Sequence, residues 1–294
     1  MSETAITLIT PEEFKTYQLS NLDRIYAMRD IPELVAQIGR GMPGKMTTNE
    51  RKMKARALVE QVHIALANSK NREEVLACGG DTILECVIDM AYLGLSPLGA
   101  MGEGYFIPRG GACTLMIGYK GFRTLIYRTG KVATLESVLV YDSEEFKHWR
   151  DEGGPHWKHP IDLDIQGQYD HVVGCYCWAS MVAGGPPMFE LMNKEQLEKV
   201  RQSGYGGSPA YKNWLGEMYR KAPLRRLAKW MELEADSECS DRYARALQID
   251  NAIYNEDRIM KAQVDRAKQS LEMIREPDKP LVDAGEEQQE RNER

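Results

Sequence analysis

Residues 93–130 read LGLSPLGAMGEGYFIPRGGACTLMIGYKGFRTLIYRTG, and this stretch decides how the rest of the chain is interpreted. Two short apolar runs, Tyr105–Pro108 and Cys113–Ile117, flank the turn residues Arg109, Gly110 and Gly111. This pattern is typical of a β-hairpin. The apolar spacing of the residues that follow predicts a helix ending at a glycine. A hairpin followed directly by a helix is therefore expected here.

The same stretch carries positive charge and aromatic rings without a compensating acid. Between residues 104 and 135 there is no Asp or Glu, although the whole chain has a formal net charge of -6. Lys and Arg follow a phosphate backbone, and aromatic rings offer stacking surfaces to unpaired bases, so this pattern indicates nucleic-acid binding. The residues concerned are Arg109, Lys120, Arg123, Arg128 and Lys131, with Tyr105, Phe106, Tyr119, Phe122 and Tyr127.

A second basic segment covers residues 212–230, where Glu217 is the one acid among six Lys and Arg residues. Lys221, Arg225 and Lys229 recur every four residues, which predicts a basic row on one face of a helix. Pro223 either kinks this helix or lies in the first turn of a second one. Two basic helices could form the walls of one groove.

Composition restricts the class of protein. Of the 294 residues, 43% are hydrophobic, which is enough to bury a sizeable core. No apolar run approaches the ~20 residues needed to cross a bilayer, and the N-terminus is acidic where a signal peptide would be basic. The six cysteines are scattered without a disulfide pattern, so a reduced, cytoplasmic location is expected.

Several helices and strands can be placed from local patterns. Capping boxes are expected at Thr47–Glu50 and Thr82–Glu85, each before an amphipathic helix, with Gly94 ending the second helix. The expected later elements are strands at about Val132–Tyr141 and His171–Val182, and helices at Lys194–Gln202 and from Tyr211 onward. The linkers are expected at Gly153–Pro160, Gly184–Pro187 and Gly204–Pro209. The fold class is α+β, a small antiparallel β-sheet flanked by several helices.

Enzyme-like motifs are present but incomplete. Residues 39–47 nearly spell a P-loop, yet Met46 stands where the Mg²⁺-binding hydroxyl belongs, and the preceding residues predict a helix rather than a strand. His156 and His159, followed by Asp162 and Asp164, lack the spacing of a metal site, and the same holds for Cys175 and Cys177. A divalent-metal nuclease that uses Asp142, Glu144 and Glu145 is kept as an alternative.

Six segments in order carry a resemblance to a known family. The segments LGLSP, GEGYFIP, IGYKGFRTLIYRTG and VYDSEEF are followed by FELMNKEQLEKVR and EMYRKAPLRRLAKWMEL. Together they resemble the RecT family of phage single-strand annealing proteins, from about Thr48 to Leu233. Two positions depart from the family pattern: Pro223 replaces a small or β-branched residue, and Arg109 replaces an aromatic one.

The resemblance implies a compact core similar to that of Rad52-type annealing proteins, with a helical C-terminal part. It implies single-stranded DNA binding and annealing of complementary strands in phage homologous recombination, by an oligomeric ring or helical filament. No cofactor and no ATP are expected, with Mg²⁺ at most modulating DNA binding. The expected partners are single-stranded DNA, the duplex annealing intermediate, further copies of the chain, a phage exonuclease and the host single-strand binding protein.

The resemblance also suggests a division of the chain. We expect an N-terminal helical and oligomerisation segment at 1–46, a DNA-binding and annealing core at 47–233, a helical region at 234–278 and a disordered acidic tail at 279–294. The apolar residues within 17–38 are candidates for a contact between protomers. Packing of these residues on the chain's own core is the equal alternative.

The predicted DNA-binding residues form two walls of one groove. The first wall consists of Lys120, Arg123 and Arg128, and the second of Lys221, Arg225, Arg226 and Lys229. Arg109 belongs to the same basic stretch. Tyr105 and Tyr119 are the weaker candidates, because a core role is favoured for either tyrosine. A plain single-stranded DNA-binding protein, which protects DNA without pairing it, is the second functional alternative.

Overall fold

The computed structural model describes residues 22–203, 211–212, 214–231 and 238–253. The predicted linker 204–209 and the predicted tail 279–294 lie outside this part of the chain. Within the described ranges, none of the helices combines the length and the apolar character that a membrane span requires.

The N-terminal part of the chain is helical. Helix α1 (Leu22–Ala27) is followed by a short 3-10 turn, then by α2 (Pro32–Arg40), α3 (Thr48–Ala67), α4 (Arg72–Leu76) and α5 (Gly80–Leu93). The apolar side chains of α1 and α2 face inward, so that Ile25, Leu34 and Ile38 are fully buried in the chain's own core. These three side chains are therefore engaged in intramolecular packing rather than exposed to a second protomer.

One of the two predicted capping boxes is confirmed. At the start of α3, the Glu50 amide donates to the Thr47 hydroxyl at 3.3 Å, and the Thr47 amide donates to the Glu50 carboxylate at 2.7 Å. The second prediction is wrong, because α5 begins at Gly80 and Thr82 lies within its first turn. The Thr82 hydroxyl instead accepts a hydrogen bond from the Cys113 amide at 2.9 Å, which fastens α5 to the following hairpin.

The hairpin and the helix after it are confirmed. Strands β1 (Gly104–Arg109) and β2 (Ala112–Ile117) pair antiparallel, and helix α6 (Tyr119–Arg128) follows at once. The turn places Gly110 at φ +53° and Gly111 at φ +85°, a left-handed pair that glycine adopts without a Cβ penalty. The two turn glycines therefore account for the tight return of the chain.

A three-stranded antiparallel sheet forms the centre of the second half, in the order β3 (Val132–Tyr141), β6 (Val172–Met181) and β7 (Met188–Asn193). The first two strands were predicted, and the third was not. Because side chains alternate across a strand, β6 presents Cys175 and Cys177 to one face and Tyr176 and Trp178 to the other. The two faces of the sheet are therefore chemically different, and different parts of the chain pack on each of them.

A second hairpin covers the aromatic face of this sheet. Strands β4 (Lys147–Asp151) and β5 (Gly154–Lys158) pair antiparallel, although residues 153–160 were predicted to be a linker. The Trp157 ring lies 4.9 Å from Phe189 and 5.3 Å from Trp178, measured between ring centroids. This packing of aromatic rings holds the hairpin against the sheet.

Helices cover the opposite face of the sheet. Helix α7 (Lys194–Ser203) and helix α8 (Leu215–Ala228) pack on it, with Tyr219 of α8 fully buried against Leu139 and Cys175. Pro223 lies inside α8, so of the two alternatives for this residue, the second helix beginning there is wrong. The last described helix, α9 (238–253), docks on α8 and α5. The α+β class with small antiparallel sheets and surrounding helices is confirmed.

A buried ion pair joins α8 to α9. Lys221 is only 2% exposed, and its Nζ lies 2.5 Å from Asp250 Oδ1 and 2.7 Å from the Ile117 carbonyl oxygen. The Arg225 Nε lies 3.0 Å from the other Asp250 oxygen. One carboxylate therefore pairs with two cations and fixes the C-terminal helix to the end of β2.

Replacement of Asp250 by Ala should strongly destabilise the protein, because it leaves the Lys221 charge buried without its counter-ion. Breaking a buried pair from one side costs about 3–5 kcal/mol. Urea denaturation followed by circular dichroism would measure this loss. Asn251→Ala is the matched control, since Asn251 is exposed and contacts Arg225 from outside the core. Equal stability of the two variants would contradict this role of Asp250.

Candidate nucleic-acid interface

The candidate interface begins with a close approach of two backbone segments. A Cβ built on Gly118 would lie 2.2 Å from the Gly102 carbonyl oxygen, and one built on Gly121 would lie 2.1 Å from the Glu103 carbonyl oxygen. Neither distance is possible for a real side chain. The two glycines of the GYKG motif are therefore required so that the start of α6 can lie directly on residues 102–103.

The Glu103 side chain holds this junction together. Its Oε2 accepts a hydrogen bond from the Ser96 amide at 2.8 Å, and its Oε1 accepts one from the Thr124 hydroxyl at 2.8 Å. The Gly118 amide donates to the Glu103 backbone carbonyl at 3.0 Å. One nearly buried residue thus joins the LGLSP segment, the start of β1 and helix α6.

A groove of about 420 Å³ opens beside this junction. Its walls come from residues 99–105, the end of β2, the first turn of α6 and the start of α8. It combines four aromatic side chains with a lysine and a carboxylate, namely Tyr105, Tyr119, Tyr169 and Trp214 with Lys120 and Glu217. The structure therefore brings together Tyr105, Tyr119 and Lys120, three of the predicted site residues.

The aromatic residues of the groove divide by exposure. Trp214 is 57% exposed and Tyr169 is 37% exposed, whereas Tyr105 and Tyr119 are half-buried. Burial raises the pKa of Tyr119 to about 12, and it also raises the pKa of Tyr105. Burial therefore favours the neutral form of both phenols. Uncharged aromatic rings that are partly exposed can stack on bases without repelling phosphates.

Trp214 and Tyr169 are not among the site residues predicted from the sequence. Neither residue lies in a periodic pattern, and the two are 45 positions apart in the chain. Tyr169 lies in the connection before β6 and packs directly over α8, where its ring would be 2.5 Å from a Cβ built on Gly216. The available signal was the position of Trp214 within the second basic segment, near the start of the helix predicted from Tyr211 onward.

Two cations of the first predicted wall extend into solvent. Lys120 and Arg123 are both exposed on α6. The Arg123 guanidinium lies 5.3 Å from the centroid of the Tyr127 ring, and a hydrogen bond to Tyr127 raises the pKa of the arginine. Both side chains are exposed on the helix that lines the groove, where they can reach a phosphate.

Arg128 and Arg109 are placed differently. The Arg128 Nη1 donates to the carbonyl oxygens of Leu93 at 3.2 Å and Gly94 at 2.9 Å, which satisfies the C-terminal end of α5. Arg109 is half-buried at the end of β1, opposite Ala112. The structure thus gives Arg128 a capping contact in addition to its predicted role in DNA binding.

The second predicted wall does not form one exposed basic face. Lys221 is buried against Asp250, and Arg225 shares the same carboxylate, so these two cations are directed into the junction of α8 and α9. Arg226 is exposed and pairs with Glu190 at 2.9 Å, and Lys229 is exposed at the end of the helix. DNA binding by Arg226 and Lys229 stays a prediction. The exposed position expected for Lys221 is wrong, because Asp250 of α9 neutralises it inside the protein.

The segment that resembles a P-loop has a different geometry. As predicted, it follows a helix, α2. The Arg51 guanidinium donates to the carbonyl oxygens of Gly39, Met42 and Gly44, at distances between 2.8 and 3.3 Å. A P-loop directs backbone N–H groups at a phosphate, whereas this segment directs carbonyl groups at a cation.

The carboxylates of the nuclease alternative are separately engaged. The Glu144 side chain is fully buried and accepts hydrogen bonds from His159 and from the Tyr141 amide. Asp142 pairs with His171, and Glu145 pairs with Lys147. Among the described residues, no three His, Cys, Asp or Glu side chains converge in a way that could hold a metal ion.

Comparison with known proteins agrees with the motifs. Residues 60–269 match the model of the RecT family. The chain is also similar to "Protein RecT" of Escherichia coli strain K12, with 28% identity over 215 residues. This alignment covers 70% of the chain and 74% of the relative. The matched residues contain the hairpin, helix α6, the central sheet and the described part of α9.

Gly121→Ala should destabilise the protein, because the new methyl group would collide with the Glu103 carbonyl oxygen. Overpacking of this kind costs typically about 1–3 kcal/mol, and here backbone rather than a flexible side chain must move. Thermal unfolding would measure the loss. Gly99→Ala is the matched control, since a Cβ at Gly99 meets nothing within 4 Å. A Gly121→Ala protein with unchanged melting temperature would contradict the close approach.

Proposed function

Because the chain belongs to the RecT family, we propose that it binds single-stranded DNA along the groove beside α6 and anneals complementary strands without ATP. The observation that carries this proposal is the groove itself. It places Lys120 and four aromatic side chains at the junction built by the GYKG motif. Although the whole chain has a negative net charge, exposed cations therefore lie next to aromatic side chains that can stack on bases.

The proposed mechanism requires no bond to be made or broken. Lys120 and Arg123 neutralise phosphates and carry no sequence information, so any strand can bind. Trp214 and Tyr169 offer their faces to unpaired bases, which leaves the hydrogen-bonding edges of those bases free. A strand held in this way is available for pairing with its complement.

The arrangement of residues 39–51 supports ATP independence. The carbonyl groups that surround Arg51 present negative dipole ends, whereas a phosphate-binding loop presents backbone N–H groups. The energy for pairing then comes from base pairing itself, and the protein contributes by holding the strand in an accessible form.

The proposed biological setting is phage homologous recombination in the cytoplasm of a bacterial host. Many protomers act in register as a ring or helical filament on a strand exposed by a phage exonuclease, in the presence of host single-strand binding protein. Pairing of long strands requires such an assembly, because one groove of about 420 Å³ is small compared with a long strand.

Trp214→Ala should weaken binding of a single-stranded oligonucleotide by about tenfold, since stacking on one aromatic ring contributes about 1–3 kcal/mol per base. Fluorescence anisotropy with a labelled oligonucleotide would measure the change. Trp149→Ala is the matched control, because Trp149 is similarly exposed but lies on β4, away from the groove. Equal losses in the two variants would contradict base stacking in the groove.

The double variant Lys120→Ala/Arg123→Ala should reduce the salt dependence of binding. Each phosphate contact contributes a slope of about -0.7 to a plot of log affinity against log salt for single strands. The removal of two contacts should therefore flatten the slope by about 1.4. Lys70→Ala, on an exposed connection outside the groove, should leave the slope unchanged. An unaltered slope in the double variant would exclude these two residues as phosphate ligands.

A further inference from the structure

The connection between β5 and β6 exposes two aliphatic side chains. Leu163 is 81% exposed and Ile161 is 51% exposed, although both are large apolar residues. Single exposed apolar residues are common, but two of them separated by one position on the same loop form a compact apolar projection. We refer to residues 160–165 as the apolar loop.

Hydrogen bonds to a buried carboxylate fix the apolar loop at its base. The Glu144 Oε1 accepts hydrogen bonds from the Asp162 amide at 3.0 Å and from the Gln166 side chain at 3.1 Å. His159 lies 2.9 Å from Glu144 Oε2 and is itself almost fully buried. A loop held in this way loses little conformational entropy when it binds a partner.

The apolar loop is also acidic. Asp162 and Asp164 alternate with Ile161 and Leu163, and residues 160–170 contain no Lys or Arg. The Asp162 carboxylate is engaged within the loop, where it accepts a hydrogen bond from the Asp164 amide at 3.0 Å. Asp164 is exposed next to Leu163. A partner surface for this loop must therefore combine apolar side chains with positive charge.

A groove with the complementary character lies on the N-terminal helices. It has a volume of about 360 Å³ between α3 and the C-terminal end of α5, enough to receive the two aliphatic side chains. Its apolar lining consists mainly of Met42, Met46, Leu58, Met90 and Leu95. Lys54 and Arg128 line the same groove and supply the positive charge. We refer to it as the methionine groove.

We propose that the apolar loop of one protomer inserts into the methionine groove of the next protomer. Charge complementarity favours a second copy of this chain as the occupant, because Asp162 and Asp164 match Lys54 and Arg128. The two surfaces are different parts of the chain, so the contact is head-to-tail and generates a ring or an open filament. The inference rests on the proposed function, which requires protomers in register, and it names the surfaces that join them.

A charge exchange in the full-length protein tests this pairing. Asp164→Lys and Lys54→Glu should each weaken self-association by about three- to tenfold, because each places like charges across the contact. The double variant Asp164→Lys/Lys54→Glu should restore it, since the charges are then opposite again. Sedimentation velocity over a concentration series would measure the association, and melting temperatures would show that each variant is folded.

Removal of the apolar side chain tests the same contact independently. Leu163→Ser should weaken association by about tenfold or more, because the apolar area is no longer buried. Val182→Ser is the matched control, since Val182 is an exposed aliphatic residue directly after β6 and outside the loop. Equal effects of the two substitutions would overturn the proposal.

Binding of an oligonucleotide short enough for one protomer distinguishes this inference from the proposed function. The interface variants should bind it as the wild type does, because the groove beside α6 is untouched. Wild-type association in both single variants, or failure of the double variant to restore it, would overturn the pairing of the two surfaces. Loss of oligonucleotide binding in Lys54→Glu, with unchanged association, would show that the methionine groove serves DNA, and would also overturn the proposal.

Discussion

The contact between the start of α6 and residues 102–103 is the constraint on which the candidate interface depends. Gly118 and Gly121 allow two backbone segments to touch, and Glu103 ties them to the segment before β1. Lys120 lies between the two glycines, so its position follows directly from this contact. A side chain at either glycine would separate α6 from the hairpin and widen the groove that both of them line.

The cations of the protein serve two different purposes. The spacing of basic residues along a helix does not decide which purpose applies, because Lys221 is buried with Asp250 whereas Lys120 and Arg123 extend into solvent. A buried cation needs a counter-ion and fixes the geometry of the elements around it. An exposed cation that is not buried with a counter-ion remains accessible to a phosphate. The second basic segment therefore contributes more to the docking of α9 than its sequence pattern indicates.

The sequence predicts those helices and strands that are specified by residues close together in the chain. Helices α3, α5 and α6 and the first hairpin follow from apolar periodicity and turn glycines, and Gly94 ends α5 as expected. The β4–β5 hairpin was missed because its strands are stabilised by aromatic contacts with β6 and β7 rather than by an alternating pattern. The burial of Lys221 depends on Asp250, 29 positions away, and the inclusion of Trp214 and Tyr169 in the groove depends on tertiary packing.

Strand annealing is the most direct test of the central claim. Two complementary oligonucleotides, one fluorescently labelled and the other carrying a quencher, are added to the protein one after the other without nucleotide. We expect faster pairing than in the protein-free control, and a loss of this acceleration in a Lys120→Ala/Trp214→Ala variant. Binding without acceleration would contradict annealing and would identify a plain single-stranded DNA-binding protein.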